Sequence, residues 1–252
     1  MKILIAANWK MNKNRLEAKD MIEKLMSMPE GIPPQRDIVL FPPFLAIDTI
    51  KEKLKNSTIV IGAQNFYPAP SGAFTGEISL EMLKDVGCSW VLIGHSERRH
   101  IIGELPTLIE QKTKLALSYG FSIILCIGET AQEREAGLVN SVLEQQLRTS
   151  LTDIPSKAIS QLVIAYEPVW AIGTGKVASQ QDIITAHTLI RKILHNMIGN
   201  TSQNIRILYG GSVNSENASS ILELDNVNGL LVGGASLQAE SFMKIIHAGF
   251  SE

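Results

Sequence analysis

One strand-and-helix unit stands out in residues 162–197, which read LVIAYEPVWAIGTGKVASQQDIITAHTLIRKILHNM. The first five letters form a continuous apolar run, as in a parallel strand that is buried on both faces. Ser179 is a suitable N-cap with Asp182 three residues later, and apolar residues then recur on one helical face. The stretch therefore predicts a buried strand followed by an amphipathic helix.

Seven further apolar runs accompany this unit along the chain. The eight runs are Ile3–Ala7, Ile38–Phe41, Thr58–Ala63, Trp90–Ile93, Phe121–Ile127, Leu162–Tyr166, Ile205–Tyr209 and Gly229–Val232. Each run is followed by a stretch with helical spacing. Dividing 252 residues by eight gives about 31 residues per unit, close to the roughly 30 that one strand-helix-strand unit needs.

No Ser/Gly/Pro-rich linker or charge run divides the eight units. We therefore predict the α/β class and a single (β/α)8 barrel domain that spans residues 1–252. A doubly wound open sheet is the structural alternative. Its usual GxGxxG motif is missing from the first strand-helix junction, which reads NWKMN at residues 8–12.

Composition limits the classes of partner. With 23 Lys and Arg against 25 Asp and Glu, the net charge is -2, which disfavours a nucleic acid or an anionic membrane surface. Two cysteines, Cys88 and Cys126, cannot form a disulfide framework, and no Cys/His spacing indicates a metal. No run approaches the roughly 18 to 20 apolar residues that span a bilayer. We expect a cytoplasmic protein that has no membrane or nucleic-acid partner.

The residues just after the strands are the candidates for chemistry, because barrels of this type place their active sites there. Asn8 and Lys10 follow the first run, His95 the fourth and Glu167 the sixth. A lysine attracts an anionic substrate, and a carboxylate beside apolar residues suits a general base. A histidine at a helix N-terminus is held neutral by the helix dipole. Taken singly, each has a structural alternative: a solvated lysine, a packed histidine, a glutamate paired with an arginine.

Glycine-containing segments follow the last three strands. Residues 168–177 read PVWAIGTGKV, which is too apolar for an ordinary solvated loop and predicts a lid that moves about short hinges. Glycine pairs then occur in YGGSV at residues 209–213 and in LVGGAS at residues 231–236. Because glycine lets backbone N–H groups approach an anion, the two pairs predict a phosphate site.

Five of these segments together resemble the signature sequences of the triosephosphate isomerase family. They are NWKMN at 8–12, GHSERR at 94–99, AYEPVWAIGTG at 165–175, YGGSV at 209–213 and LVGGAS at 231–236. Their order and spacing match the family over essentially the whole chain. The resemblance implies an isomerase of glycolysis and gluconeogenesis that interconverts D-glyceraldehyde 3-phosphate and dihydroxyacetone phosphate through an enediolate. It also implies that no metal and no other cofactor is needed.

The resemblance implies a role for each candidate residue. Glu167 corresponds to the base and His95 to a neutral electrophile, a feature known from this family. Lys10 resembles the cationic substrate contact and Asn8 its neighbouring donor, while Glu97 matches a supporting position near Lys10. The backbone amides that match the family's phosphate grip are those of Gly173, Ser212, Gly233 and Gly234.

Two further segments, QNF at residues 64–66 and GAFTGE at residues 72–77, match the family loop that docks into a neighbouring subunit. The resemblance therefore implies a homodimer whose interface includes Gln64, Phe74 and Thr75, with Thr75 reaching the partner's Asn8 and Lys10 region. Aromatic side chains at Phe66, Tyr67 and Phe74 are costly in a solvated loop, which favours burial against a partner. The alternative is a loop folded onto its own barrel.

The chain departs from the family pattern at Pro106, usually a polar position, and at Asn228, where Asp is commoner. Neither position supplies a catalytic group. Two other functions stay open as alternatives: a different barrel enzyme that acts on a sugar phosphate, and a non-catalytic barrel that binds a phosphosugar or a protein. A different sugar-phosphate enzyme has no need for Lys10, His95 and Glu167 together. A non-catalytic barrel has no need for a base, an electrophile or a lid, so the presence of all three argues against it.

Overall fold

Eight parallel strands close into a barrel in the order of the sequence. The computed structural model describes residues 1–172 and 177–250. The strands are β1 Ile3–Asn8, β2 Arg36–Phe41, β3 Val60–Ala63, β4 Trp90–Ile93, β5 Ser122–Ile127, β6 Leu162–Tyr166, β7 Arg206–Tyr209 and β8 Gly229–Val232. The predicted (β/α)8 barrel is confirmed, and all eight apolar runs are strands.

Helices follow the strands and surround the barrel. In the described ranges they are α1 Arg15–Ser27, α2 Ile47–Lys53, α3 Leu80–Asp85, α4 Ser96–His100, α5 Pro106–Ser118, α6 Ala131–Glu135, α7 Val139–Ser150, α8 Gln180–Ile198, α9 Ala218–Leu222 and α10 Ala239–His247. Within these ranges, every helix is too short or too polar to cross a membrane.

The core has two layers because successive residues of a strand point to opposite faces. Leu4 and Ala6 of β1 belong to the barrel interior, whereas Ile5 and Ala7 pack against the surrounding helices. Cys126 lies in the interior layer, and burial raises the pKa of its thiol well above the ordinary value. This position fits a packed, unreactive thiol.

The seam between β8 and β1 requires glycine. Gly229 has a φ of 152°, and a Cβ built there would lie 1.9 Å from the backbone oxygen of Leu4. The departure at Asn228 serves the same region, because its Oδ1 accepts hydrogen bonds from the Ile207 N–H and the Arg191 guanidinium, both at 3.0 Å. The amide therefore ties β7 to α8 at the seam.

The quoted strand-and-helix unit forms as predicted. Ser179 caps α8: its side chain accepts from the Asp182 N–H, and Asp182 accepts from the Ser179 N–H. Ile183, Ile190 and Leu194 are buried on one face of the helix. The other departure, Pro106, is the first residue of α5, where a missing N–H costs nothing.

Candidate active site

A cavity of about 340 Å³ lies at the carboxyl ends of the strands. Seven of the predicted site residues line it: Asn8, Lys10, His95, Glu167, Ser212, Gly233 and Gly234. Glu97 adjoins the cavity through Lys10, and Gly173 lies outside the described residues. The closed barrel thus brings together groups that follow β1, β4, β6, β7 and β8.

Lys10 is held in a conformation that is rare for a side chain of its size. Its φ is 53°, and such strain costs on the order of 1–3 kcal/mol. Asn8 Oδ1 accepts from the Lys10 N–H at 3.0 Å, and Gln64 Nε2 donates to the Lys10 carbonyl at 2.8 Å. At the end of the side chain, Nζ lies 2.7 Å from Glu97 Oε1. These contacts fix the ammonium group at the cavity wall.

His95 is the N-cap of α4, as the sequence predicted. Its Nδ1 accepts a hydrogen bond from the Glu97 N–H at 3.2 Å. Because that nitrogen is used as an acceptor, the neutral ring carries its proton on Nε2. The geometry therefore directs an N–H donor from His95 into the cavity.

Glu167 follows β6 directly and is almost fully buried, with 2 % of its surface exposed. Its Oε1 lies 3.0 Å from His95 Nε2, and its Oε2 accepts from the Ser96 N–H at 2.9 Å. These partners replace the arginine that was the structural alternative for this residue. Sequence analysis did not identify Ser96; the available signal was its place directly after His95 at a helix start.

Because His95 and Glu167 face each other, each changes the pKa of the other. Burial opposes the charged form of His95, but the neighbouring Glu167 carboxylate outweighs burial and raises the pKa of His95. Burial likewise opposes ionisation of Glu167, but His95, the Ser96 N–H and Lys10 outweigh it and lower the pKa of Glu167. The expected lowering of the histidine pKa is therefore wrong for the arrangement in which Glu167 faces the ring.

The glycines beside Glu167 also have a packing role that was not predicted. A Cβ built on Gly210 would lie 3.0 Å from Glu167 Cγ, and one on Gly211 would lie 2.2 Å from Tyr209 Oη. The absence of side chains at these two positions leaves room for the carboxylate and for the tyrosine ring. Sequence analysis had assigned this pair only to phosphate.

The second glycine pair follows β8 and lines the same cavity as Glu167. A Cβ on Gly233 would lie 3.5 Å from Lys10 Cε, whereas nothing lies within 4 Å of one on Gly234. Ser236 Oγ donates to the Gly233 carbonyl at 2.6 Å, which fixes the turn. Ser212 lines the same cavity, and the main chain of Gly233 lies beside the cationic side chain of Lys10, an arrangement suited to an anion.

The segment after β6 is anchored by a residue that sequence analysis missed. Glu129, fully buried after β5, accepts from the Tyr166 hydroxyl at 3.0 Å and from Trp170 Nε1 at 2.8 Å. The predicted lid covers residues 168–177, of which 173–176 lie outside the described ranges. Its first part, Val169–Ala171, is a 3₁₀ turn.

The predicted interface residues lie after β3. Phe74 is 41 % exposed and stacks on Tyr67 with ring centroids 4.4 Å apart, and Thr75 is exposed. Gln64 also donates to the Phe41 carbonyl at 2.8 Å, so its contacts are within its own chain. Phe66 is fully buried in its own barrel, so its inclusion among the aromatic groups needing a partner was wrong.

Among residues 1–172 and 177–250, no three or more His, Cys, Asp or Glu side chains are grouped to hold a metal ion.

Comparison with known proteins places the whole chain in one family. A family model described as triosephosphate isomerase matches residues 3–249. A triosephosphate isomerase from Nitratidesulfovibrio vulgaris (strain DSM 19637 / Miyazaki F) is 51% identical over 251 residues, which covers 98% of this chain and 100% of the relative. One from Aquifex aeolicus (strain VF5) is 45% identical over 248 residues, with 98% and 100% covered.

Proposed function

Since the chain belongs to the triosephosphate isomerase family, we propose that this cavity holds D-glyceraldehyde 3-phosphate or dihydroxyacetone phosphate with Glu167 as the base. The protein is an isomerase that interconverts these two triose phosphates, a reaction of glycolysis and gluconeogenesis. The observation that carries the assignment of roles is the convergence of Glu167, His95 and Lys10 in a cavity that is also lined by the glycine pairs after β7 and β8.

Glu167 moves a proton between two adjacent carbons. Its ionised carboxylate takes the proton from the carbon next to the carbonyl, and the electrons of that C–H bond form an enediolate. A proton passes from the substrate's hydroxyl oxygen to its former carbonyl oxygen, and the same carboxyl group returns its proton to the other carbon as the new carbonyl forms. In the structure both carboxylate oxygens are engaged by His95 and Ser96. The side chain must therefore turn away from them when substrate enters, and glycine at position 210 leaves the space for this movement.

His95 and Lys10 stabilise the oxygens of the enediolate. Once Glu167 has turned to the substrate, the Nε2–H of His95 is free to donate to the carbonyl oxygen. The Lys10 ammonium supplies positive charge where negative charge develops. Glu97 supports both groups, because its carboxylate contacts Lys10 Nζ and its backbone N–H contacts His95 Nδ1. Asn8 fixes the Lys10 main chain.

The phosphate group of the substrate binds at the backbone of Ser212, Gly233 and Gly234. These residues line the same cavity as Glu167, His95 and Lys10 and fit the charge of a phosphate. Gly173 joins them by the resemblance of its segment to the family. Because the phosphate takes no part in the proton transfer, holding it fixes the position of the reacting carbons.

Glu167→Asp tests the role of the base. Shortening the side chain by one methylene withdraws the carboxylate from the carbon, so kcat should fall by at least about 10²-fold. A coupled assay of glyceraldehyde 3-phosphate isomerisation measures kcat, and inhibition by inorganic phosphate monitors the other end of the site, which should be unchanged. A variant that retains more than about a tenth of the wild-type kcat would exclude Glu167 as the base.

We also propose a homodimer that forms on the side of β1 to β4. The large apolar side chains exposed after these strands include Met11, Leu45, Phe74, Met82, Ile101, Ile102 and Leu105. Met11 and Leu45 are 97 % and 85 % exposed, and a concentration of such side chains on one side is typical of a protein interface. The β3–α3 loop, with Phe74 and Thr75 at its tip, reaches into the partner in this arrangement.

The cytoplasm is the compartment that we propose. The reaction belongs to glycolysis, and the two cysteines, Cys88 and Cys126, are free and buried, as expected where thiols stay reduced.

A further inference from the structure

The main chain of Glu167 is paired with a short segment that extends beyond β5. The Ile127 carbonyl accepts from the Glu167 N–H at 2.7 Å, and the Glu129 carbonyl accepts from the Val169 N–H at 3.1 Å. Residues 127–129 therefore act as a template for the carboxylate-bearing residue and for the start of the loop that follows it.

Gly128 lies in the middle of this template and packs directly on Glu167. A Cβ built on Gly128 would lie 1.7 Å from the Glu167 carbonyl oxygen, so the two main chains are in close contact. In a parallel ladder, alternate residues direct their N–H and C=O to opposite neighbours. Since Ile127 and Glu129 bond to the segment after β6, the N–H and C=O of Gly128 point to the other neighbour, on the side of β4. Since Ile93, the last residue of β4, pairs with Leu125, β4 ends too early to bond them.

The side-chain amide of Gln146 takes the place of the missing strand. Its Oε1 accepts from the Gly128 N–H at 2.9 Å, and its Nε2 donates to the Gly128 carbonyl at 3.0 Å. Gln146 is half-buried on α7, and on the same helix Leu143 and Leu147 are fully buried. The two hydrogen bonds therefore connect a packed helix to a peptide that is buried behind the cavity.

We propose that Gln146 is a positioning residue for the isomerisation, because it fixes the Gly128 peptide and through it the main chain of Glu167. The inference rests on the proposed role of Glu167 as the base. Glu129, directly after Gly128, accepts from Trp170 Nε1, so rotation of this peptide also displaces an anchor of the loop. Errors of about 1 Å in the placement of a catalytic group lower rates greatly. The backbone that binds phosphate follows β7 and β8 and is not connected to the template by these contacts.

Gln146→Met tests the inference, because it keeps the length and approximate volume of the side chain while removing both hydrogen bonds. We expect kcat to fall about 10-fold and KM to change by less than about twofold. The matched control is Gln145→Met, at an exposed position of the same helix, which should leave both constants unchanged. A folded Gln146→Met variant whose kcat stays within about twofold of wild type would overturn the proposal.

Gln146→Glu provides a second test, the pH dependence of kcat, which a purely structural role of Gln146 would not change. A protonated carboxyl group can accept from the Gly128 N–H and donate to its carbonyl, whereas the ionised group has no donor. The kcat of this variant relative to wild type should therefore fall as pH rises through the ionisation of the introduced carboxyl group. A ratio that is independent of pH would overturn the positioning role, even if Gln146→Met fails to fold.

Glu167→Asp, assayed beside these variants, separates the two proposals. Loss of activity in Glu167→Asp with full activity in both Gln146 variants would overturn only the role of Gln146. Full activity in Glu167→Asp would overturn the base assignment and with it the inference that depends on it.

Discussion

At the scale of single residues, the site depends on backbone groups that hold reactive side chains. The Ser96 N–H binds the Glu167 carboxylate, and the Glu97 N–H binds the His95 ring. Because backbone donors do not move when a side chain rotates, they fix the positions of these two groups. Lys10 differs, since its main chain is held by the Asn8 side chain and its ammonium group by the Glu97 carboxylate. Among the described residues, only the His95–Glu167 contact joins two of the proposed reactive side chains, and in the proposed mechanism it breaks when substrate enters.

The raised pKa of His95 therefore depends on the carboxylate that faces it. In Glu167→Gln that charge is gone, while burial, the largest single cause, and the charge of Lys10 still oppose a charged ring. The Glu97 carboxylate, 3.6 Å from Nδ1, still favours the charged ring but is the smallest of these causes. We expect the pKa of His95 to fall below its ordinary value of about 6.5 in this variant. Nitrogen-15 NMR of the imidazole over a pH titration measures it.

Glu135→Gln is the control for this titration, because Glu135 is exposed at the end of α6. It should leave the pKa of His95 raised, as in the unaltered protein. An equal pKa in wild type and Glu167→Gln would show that the carboxylate does not control the ring.

At the scale of elements, α8 carries a buried histidine that the reaction does not use. His187 is fully buried, its Nδ1 lies 3.0 Å from the Asn226 carbonyl, and its ring meets Tyr166 edge-on. Burial, with a smaller contribution from the charge of Arg191, lowers the pKa of His187 to about 4, against the opposing hydrogen bond to the Asn226 carbonyl. The neutral ring donates from Nδ1 and joins α8 to the segment before β8.

Neutral His187 makes the stability of the protein sensitive to acid. The pKa of His187 is lower in the folded protein than in the unfolded chain. Below about pH 6.5 the unfolded chain therefore binds a proton at this histidine, whereas the folded protein binds it only near pH 4. The contribution is present above pH 6.5 and is lost as pH falls to 4, with a magnitude on the order of 3 kcal/mol. His187→Gln should therefore flatten the pH dependence of the free energy of unfolding over this range.

Urea denaturation at a series of pH values from about 6.5 to about 4 measures the effect. His195→Gln is the control, since His195 is exposed on the same helix. If His187→Gln and wild type lose stability with the same slope, the buried histidine does not set the acid sensitivity.

At the scale of the whole molecule, the barrel has two unlike sides. The exposed large apolar side chains concentrate after β1 to β4, where Met11, Leu45 and Ile101 are each at least 79 % exposed. Lys10 lies on the same side, and Gln64, at the base of the β3–α3 loop, bonds its carbonyl. A partner on this side would therefore contact the loop that supports Lys10, a proposed substrate-binding residue.

Thr75→Arg tests the proposed dimer. A charge at the tip of the loop would be buried without a partner or expelled, and an imperfectly paired buried charge costs several kcal/mol. We expect a monomer that has lost most of its activity, because the partner's loop no longer braces the Asn8 and Lys10 region. Sedimentation equilibrium and the isomerase assay measure the two effects.

Thr152→Arg is the control, at an exposed position after α7 on the other half of the barrel. It should remain dimeric and active. Should Thr75→Arg stay dimeric, the loop is not at the interface; a fully active monomer would instead contradict the bracing.

The sequence by itself determined the eight strand-helix units, because apolar runs and helical spacing are local patterns. It also placed His95 at a helix start and Glu167 at a strand end, and these positions needed only the order of elements along the chain. The same local reasoning predicted the Ser179 cap.

Only the tertiary structure decided which groups touch. Ser96 and Glu167 are 71 residues apart, Gln64 and Lys10 are 54 apart, and Gln146 and Gly128 are 18 apart. The first two contacts depend on how the strands are arranged in the barrel, and the third depends on how α7 packs against β5; no local pattern specifies either arrangement. The pKa of His95 likewise depends on the tertiary structure. The sequence indicated a helix N-terminus, which opposes a positive charge on the ring. In the folded chain the Glu167 carboxylate lies opposite the ring, and this nearer charge has the larger effect.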